Sequence, residues 1–295
     1  METMNENEIT QTIKEKLSQI EQRENIRILY ACESGSRAWG FASPDCKAET
    51  CYSACKTAES RPKSVACLDQ TYSDYDVRFI FVRPVQDYLR VKELPDFIDA
   101  ELNEIYDING WDLKKFCKQL YKSNPVIFEW ADSPIVYRTS EDWEKVKAVM
   151  GDYVCPRTMI YHYLGLANSS IKKYLTGEEI TYKKYFYILR AVLAASWIYE
   201  KKSPAPTEYF KLVEAEIQRQ LPELNYIPNN YFDNLLKKLY EKKSASSEKA
   251  KGKRNSVLEN FVDMRMAILD GAFEKKSFSW EKLNDLFLSV IKAGF

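Results

Sequence analysis

Histidine is nearly absent from this chain: there is one, His162, in 295 residues. Catalysis through paired histidines is therefore excluded, and a lone imidazole reads as structural. A charge surplus is missing too, since 43 basic residues balance 43 acidic ones. A protein whose whole surface coats nucleic acid needs a basic excess, because phosphate neutralisation drives that binding; only a local basic patch stays open. Long apolar runs are also lacking. The longest, around residues 188–198, is too short and interrupted to span a bilayer. Residues 1–25 are polar and charged, unlike a secretory leader. The expectation is a cytoplasmic protein with no membrane partner. Its seven cysteines, an odd number without a leader, are expected as thiols rather than a disulfide framework. No internal repeat is visible.

What the chain does have is aromatic bulk, with 20 Tyr, 14 Phe and 6 Trp, and enough length for one large domain or two ordinary ones. Apolar residues Ile9, Ile13, Leu17 and Ile20 fall at helical spacing. Ile26 to Cys32 is rich in strand formers and runs into the turn Gly35-Ser36. Residues 45–72 are polar and turn-rich, a loop. Val77–Val82 is a second strand closed by Pro84, and 101–108 a third, with Asn109-Gly110 turning the chain. Asp112 is placed to cap a helix from Leu113 to about Lys122, and Pro125–Trp130 opens a short helix.

From Pro156 onward the pattern is helical, over 157–175, 181–201, 207–219, 229–243, 255–274 and 279–293. The stretch Lys237–Arg254 carries eight Lys or Arg against two Glu. It reads as a solvated linker, with nucleic-acid contact as the sharper alternative.

Alternation on a strand puts Asp74, Asp76 and Arg78 on one face, with Tyr75 and Val77 on the other. Adjacent carboxylates repel unless a cation sits between them, and hard oxygen ligands of this kind suit Mg²⁺. An Asp-x-Asp pair alone is common on surface strands, and a Gly-Ser turn alone merely reverses a chain. Their combination is more specific. Glu33-Ser34-Gly35-Ser36-Arg37-Ala38-Trp39-Gly40-Phe41 followed by Ser73-Asp74-Tyr75-Asp76-Val77-Arg78 resembles the nucleotidyltransferase superfamily that includes DNA polymerase β. With Asn109 to Leu113, Lys122 to Pro125, Phe128 to Trp130 and Ser133-Pro134, the chain more closely resembles a family of predicted nucleotidyltransferases sometimes associated with RNA ligases.

That resemblance implies an α+β fold: a polymerase β-like mixed sheet with flanking helices, followed by an all-helical C-terminal domain. It divides the chain into a catalytic domain, 1–150, and a helical domain, 151–295. Gly35 and Ser36 would hold the phosphates of a nucleoside triphosphate such as ATP on a turn where glycine permits close approach. Asp74 and Asp76 would ligate Mg²⁺, with a third carboxylate on a neighbouring strand. Asp107 is the choice for it and Glu104 the competitor, while Asp112 is assigned to helix capping. Arg37 and Arg78 would offset triphosphate charge, or else pair structurally with the carboxylates. On the helix beyond Thr181, Lys184, Tyr187 and Arg190 share a face that would contact phosphate or base, against ordinary packing of the aromatics. The implied reaction moves a nucleoside monophosphate from NTP to a hydroxyl acceptor, on RNA or protein, and releases pyrophosphate. The alternative is a catalytically impaired nucleotide-binding or RNA-associated protein.

That alternative arises because removing residues 46–72 would join Asp45 to Ser73 and give Pro-Asp-Ser-Asp-Tyr-Asp, the uninterrupted pattern. The stretch reads as an insertion beside the site, carrying Cys46, Cys51, Cys55 and Cys67. A zinc knot, a redox switch and a plain surface loop with reduced thiols are the three readings. The irregular spacing, without a Cys-x-x-Cys pair, counts against zinc.

Overall fold

The computed structural model describes residues 6–42, 75–103, 105–218, 229–244, 250–269 and 273–293. Helix α1, Glu6–Glu24, buries Ile13, Leu17 and Ile20 along one stripe and stops at Asn25, whose positive φ of 49° ends the helix. The chain then enters β1, Arg27–Glu33, which lies between the central strand β2 and the edge strand β5 of a mixed sheet ordered β3-β4-β2-β1-β5. The other strands are β2 Tyr75–Val82, β3 Phe97–Leu102, β4 Tyr106–Asp112 and β5 Val136–Arg138. β1 runs antiparallel to β2 and β5, β3 antiparallel to β4, and β2 parallel to β4.

Strand alternation sorts the side chains into two cores. Tyr75, Val77, Phe79 and Phe81 point to the face covered by α1, together with Ile108 and Tyr137. Ile80 and Val82 point the other way, where they join Leu29, Phe116 and Trp143. A bulge between Ile28 and Tyr30 sets Leu29 and Tyr30 on the same face. Each fully buried phenylalanine on these faces contributes about 1.5–3 kcal/mol.

Asn109-Gly110 is not a turn. It lies in the middle of β4, paired with Arg78 and Phe79, and the strand expected over 101–108 is two strands, β3 and β4. Gly110 is there for packing, since a Cβ on it would meet the Phe79 ring at 2.1 Å. Asp112 ends β4 and caps the Leu113–Tyr121 helix, accepting from the Lys114 N–H at 2.7 Å. Asn124 likewise caps Pro125–Ala131. The helix Glu141–Met150, capped by Ser140 and acidic in its first turn at Glu141, Asp142 and Glu144, is an additional element not among those expected above.

The helical half contains Pro156–Tyr174, Tyr182–Lys201, Tyr209–Gln218, Asn229–Ser244, Ser256–Leu269 and Glu281–Lys292. The Ser256–Leu269 helix is shorter than expected at its C-terminal end. The linker reading of Lys237–Arg254 is overturned within the described residues: 237–244 is helix, and β7, Lys251–Lys253, pairs with β6, Glu179–Thr181. Charge count misled because lysine stems lie along apolar surface with only their heads in water, and Lys243 is itself buried. One buried cluster joins the inner sheet face to these helices, from Leu29 and Ile80 to Phe186, Tyr209 and Val290. No helix of the described residues is long and apolar enough to cross a membrane.

Candidate active site

The site begins where β1 stops. Glu33 is the last strand residue, Ser34 is extended, and Gly35 opens the four-residue helix α2, Gly35–Ala38, with a positive φ of 61°. Two hydrogen bonds, one backbone to backbone and one to a side chain, tie this turn to the start of β2: the Ser34 N–H donates to the Asp76 carbonyl at 2.8 Å, and the Asp76 N–H donates to Glu33 Oε1 at 2.7 Å. The approach is so close that a Cβ on Gly35 would lie 2.2 Å from Asp76 Oδ2. Glycine is thus required twice here, for backbone conformation and for space.

Parallel pairing sets Asp76 of β2 directly beside Asp107 of β4. Arg78, two residues along the same face, reaches both, at 2.7 Å from Asp107 Oδ2 and 3.4 Å from Asp76 Oδ1. It also donates to the Asp107 carbonyl at 2.8 Å. The guanidinium supplies the positive charge that two neighbouring carboxylates need. All three side chains keep partial contact with solvent, at 18% for Arg78, 30% for Asp76 and 33% for Asp107. A ligand can therefore reach them, whereas a buried pair would be closed to exchange. Ser36 is buried in α2, and the Arg37 guanidinium lies 4.1 Å from the centre of the Tyr75 ring.

Glu33 escaped the sequence reading. It is wholly buried, on the α1 side of the sheet. Tyr137 donates its hydroxyl to Glu33 Oε2, and Ser133 Oγ donates to the Glu33 carbonyl at 2.6 Å. Burial pushes its carboxyl up to about 7, against the lowering effect of the Tyr137 hydrogen bond and the Arg37 charge. Glu33 thereby holds the Asp76 backbone from beneath. The available signal was an acidic residue ending an apolar strand immediately before a Gly-Ser turn.

Gly35, Ser36, Arg37, Asp76, Arg78 and Asp107 thus gather at one end of the sheet. Asp74 and Glu104 lie outside the described residues, as does the whole of 46–72 with its four cysteines. Cys32, Cys117 and Cys155 are free and buried. Among the described residues no group of three or more His, Cys, Asp or Glu is gathered for a metal.

The two basic residues of the helical half have different surroundings. Arg190 is buried, ion-paired to Glu129 at 3.0 Å, donating to the Thr207 carbonyl at 3.2 Å, and stacked 4.3 Å from the Trp39 ring centre. Glu129 in turn accepts from Trp39 Nε1 and from the Tyr163 hydroxyl. Arg190 is thereby coupled to the end of the Gly-Ser segment through Trp39. Lys184 sits over Tyr174 and Tyr187, 4.6 and 5.1 Å from their ring centres. His162 is partly exposed on the Pro156–Tyr174 helix, its pKa lowered by burial.

A mixed sheet that carries a Gly-Ser turn against acidic strand ends, followed by packed helices, defines a polymerase β-like nucleotidyltransferase fold. The chain matches the family model described as RlaP, RNA repair pathway DNA polymerase beta family, over residues 9–51 and 68–289, and it belongs to that family. The match breaks over 52–67, inside the stretch set apart above as an insertion. The chain is also 33% identical over 291 residues to an uncharacterized protein, YcgL, of Bacillus subtilis (strain 168), covering 96% of each. No solved structure matches.

Proposed function

We propose that this protein is a cytoplasmic, Mg²⁺-dependent nucleotidyltransferase that moves a nucleoside monophosphate from NTP to a hydroxyl of an RNA acceptor. The observation that carries this reading is the side-by-side pairing of Asp76 and Asp107, with the Asp76 carboxylate packed against Gly35. Family membership supports the reaction class, and the family's description as an RNA repair pathway supports the acceptor.

The residues fit a hard divalent cation. Two partly exposed carboxylates on adjacent parallel strands, already bridged by the cationic Arg78, offer oxygen ligands where positive charge is favoured. Asp76 and Asp107 would hold Mg²⁺ together with Asp74. When bound, the metal would supply Lewis-acid stabilisation of the charge on the transferring phosphoryl group.

The chain's own groups do the rest. Backbone amides of the Gly35-Ser36 turn and the Ser36 hydroxyl hold the triphosphate. Arg37 and Arg78 balance its charge, and Arg78 exchanges its carboxylate partners for phosphate oxygens as the site fills. Asp107 orients the acceptor hydroxyl and accepts its proton at a carboxylate oxygen. Lys184 and Arg190, on the Tyr182–Lys201 helix, belong to the nucleotide side of the site, Arg190 acting through Trp39. Residues 1–150 form the catalytic unit in this reading, and 151–295 the helical unit closing over it.

The test is transfer of α-labelled NTP onto RNA, using Asp76→Ala and Asp107→Ala. Both should lose at least about a hundredfold in rate. Transfer by Asp76→Ala equal to wild type would end the assignment. Calorimetric NTP binding without turnover, restored to turnover by excising 46–72, would favour instead an impaired site.

A further inference from the structure

Away from the carboxylates, the helical half contains a cleft of about 400 Å³. Its floor is apolar, built by Ile180, Leu235, Leu239 and Leu258 with the rings of Tyr182 and Tyr185. Its rim is cationic. Lys238 and Lys242, one turn apart on the Asn229–Ser244 helix, line it together with Lys253 and Arg254, from β7 and the residue after it. Among the described residues no acidic side chain lines it, in a chain whose net charge is zero.

The basic residues are not equivalent. Arg254 is committed to the fold, pairing with Glu259 at 2.6 Å and donating to the Leu175 and Gly177 carbonyls. Lys238, Lys242 and Lys253 are exposed and, among the described residues, form no ion pair. The fold spends effort on this arrangement, because β7 packs tightly on the cleft's aromatic edge. A Cβ on Gly252 would lie 2.7 Å from the Tyr182 ring.

We infer that this cleft is a binding site for single-stranded nucleic acid, separate from the Asp76–Asp107 site. Its volume suits one nucleotide. An apolar, tyrosine-bearing floor takes the flat face of a base, which is sequence-tolerant because every base has one. Four cations contributed by two separate elements follow a chain of phosphates, where a single terminal phosphate would call for donors converging on one point. An acyl chain would use the floor but leave most of the cationic rim unmatched. The inference does not depend on the nucleotidyl-transfer reading, so Asp76→Ala should bind like wild type.

The experiment is fluorescence anisotropy with labelled twelve-nucleotide RNA and DNA single strands, without Mg²⁺ or NTP, over a salt series. The full-length protein is compared with Lys238→Glu/Lys242→Glu, with Tyr182→Ala, and with the charge-matched control Lys14→Glu/Lys172→Glu. These four lysines are exposed, so the reversals should leave the thermal melt unchanged. The cleft reversal should weaken binding at least about tenfold and reduce the slope of log K against log salt by about 1.4, two phosphate contacts at about 0.7 each. Tyr182→Ala should weaken it about fivefold or more, equally for mixed sequences. Equal losses in the control would mean binding by overall charge and would overturn the site. So would no binding by wild type, or binding to phosphatidylglycerol vesicles in place of single strands.

Discussion

Replacing Gly35 by alanine separates the two demands that the turn places on this position. Alanine in the left-handed region costs about 1–2 kcal/mol, since its Cβ crowds the following carbonyl. At 61° that cost applies in full. The added Cβ would also stand 2.2 Å from Asp76 Oδ2, whereas ordinary contact begins near 3.4 Å. The oxygen must therefore retreat by about 1 Å, a shift that side-chain rotation of Asp76 can supply. Little further stability is lost, because the Asp76–Arg78 pair is 3.4 Å long and partly exposed, and such pairs are worth less than about 1 kcal/mol. Misplacing a reacting group by 1 Å can cost about a hundredfold in rate.

Gly40 provides the control. It also has a positive φ, 81°, but among the described residues nothing lies within 4 Å of the Cβ it lacks. Gly40→Ala should pay the conformational cost alone. Both variants should melt about 2–8 °C below wild type, and only Gly35→Ala should lose about a hundredfold in label transfer from NTP. If the two variants kept the same activity, Asp76 would not be the group that this turn positions, and the reasoning would fail.

Two further outcomes concern stability. Arg190→Ala leaves Glu129 largely buried without its cation, at 13% side-chain exposure. Glu129 keeps its hydrogen bonds from Trp39 and Tyr163, so the loss should fall near the lower end of the usual range, about 3 kcal/mol in urea unfolding; a loss below about 1 kcal/mol would contradict the buried pairing. Asp112, buried beneath Tyr88, has its carboxyl raised from about 3.8 to about 6 by burial, partly offset by the Lys114 and Tyr88 hydrogen bonds. Its folded value lies above its unfolded one, so the stabilisation it gives is complete below pH 4 and lost as pH rises through 6, amounting to at most about 3 kcal/mol. Asp112→Asn keeps the helix cap and should make the fall in stability between pH 4 and 6 shallower, leaving the share due to Glu33, whose carboxyl burial also raises; an unchanged slope in chemical denaturation would refute this assignment.

The sequence by itself determined the local elements and the type of chemistry. The period of Ile13, Leu17 and Ile20 made α1, alternation in β2 separated Asp76 and Arg78 from Val77 and Phe79, and Asp112 marked a helix start. These are short-range properties of the backbone, readable from neighbouring residues. Tertiary structure decided what lies across the chain. Gly110 looked like a turn residue until Phe79 on the next strand explained its missing side chain. The basic run around Lys242 looked like linker until helix and β7 folded it onto an apolar cleft. Asp107 became the neighbour of Asp76 only through the parallel pairing of β4 with β2, and Glu33 acquired its place only when Tyr137, more than a hundred residues away, closed over it. Register and burial are set by residues distant in sequence, which is why local pattern could name the carboxylates but not bring them together.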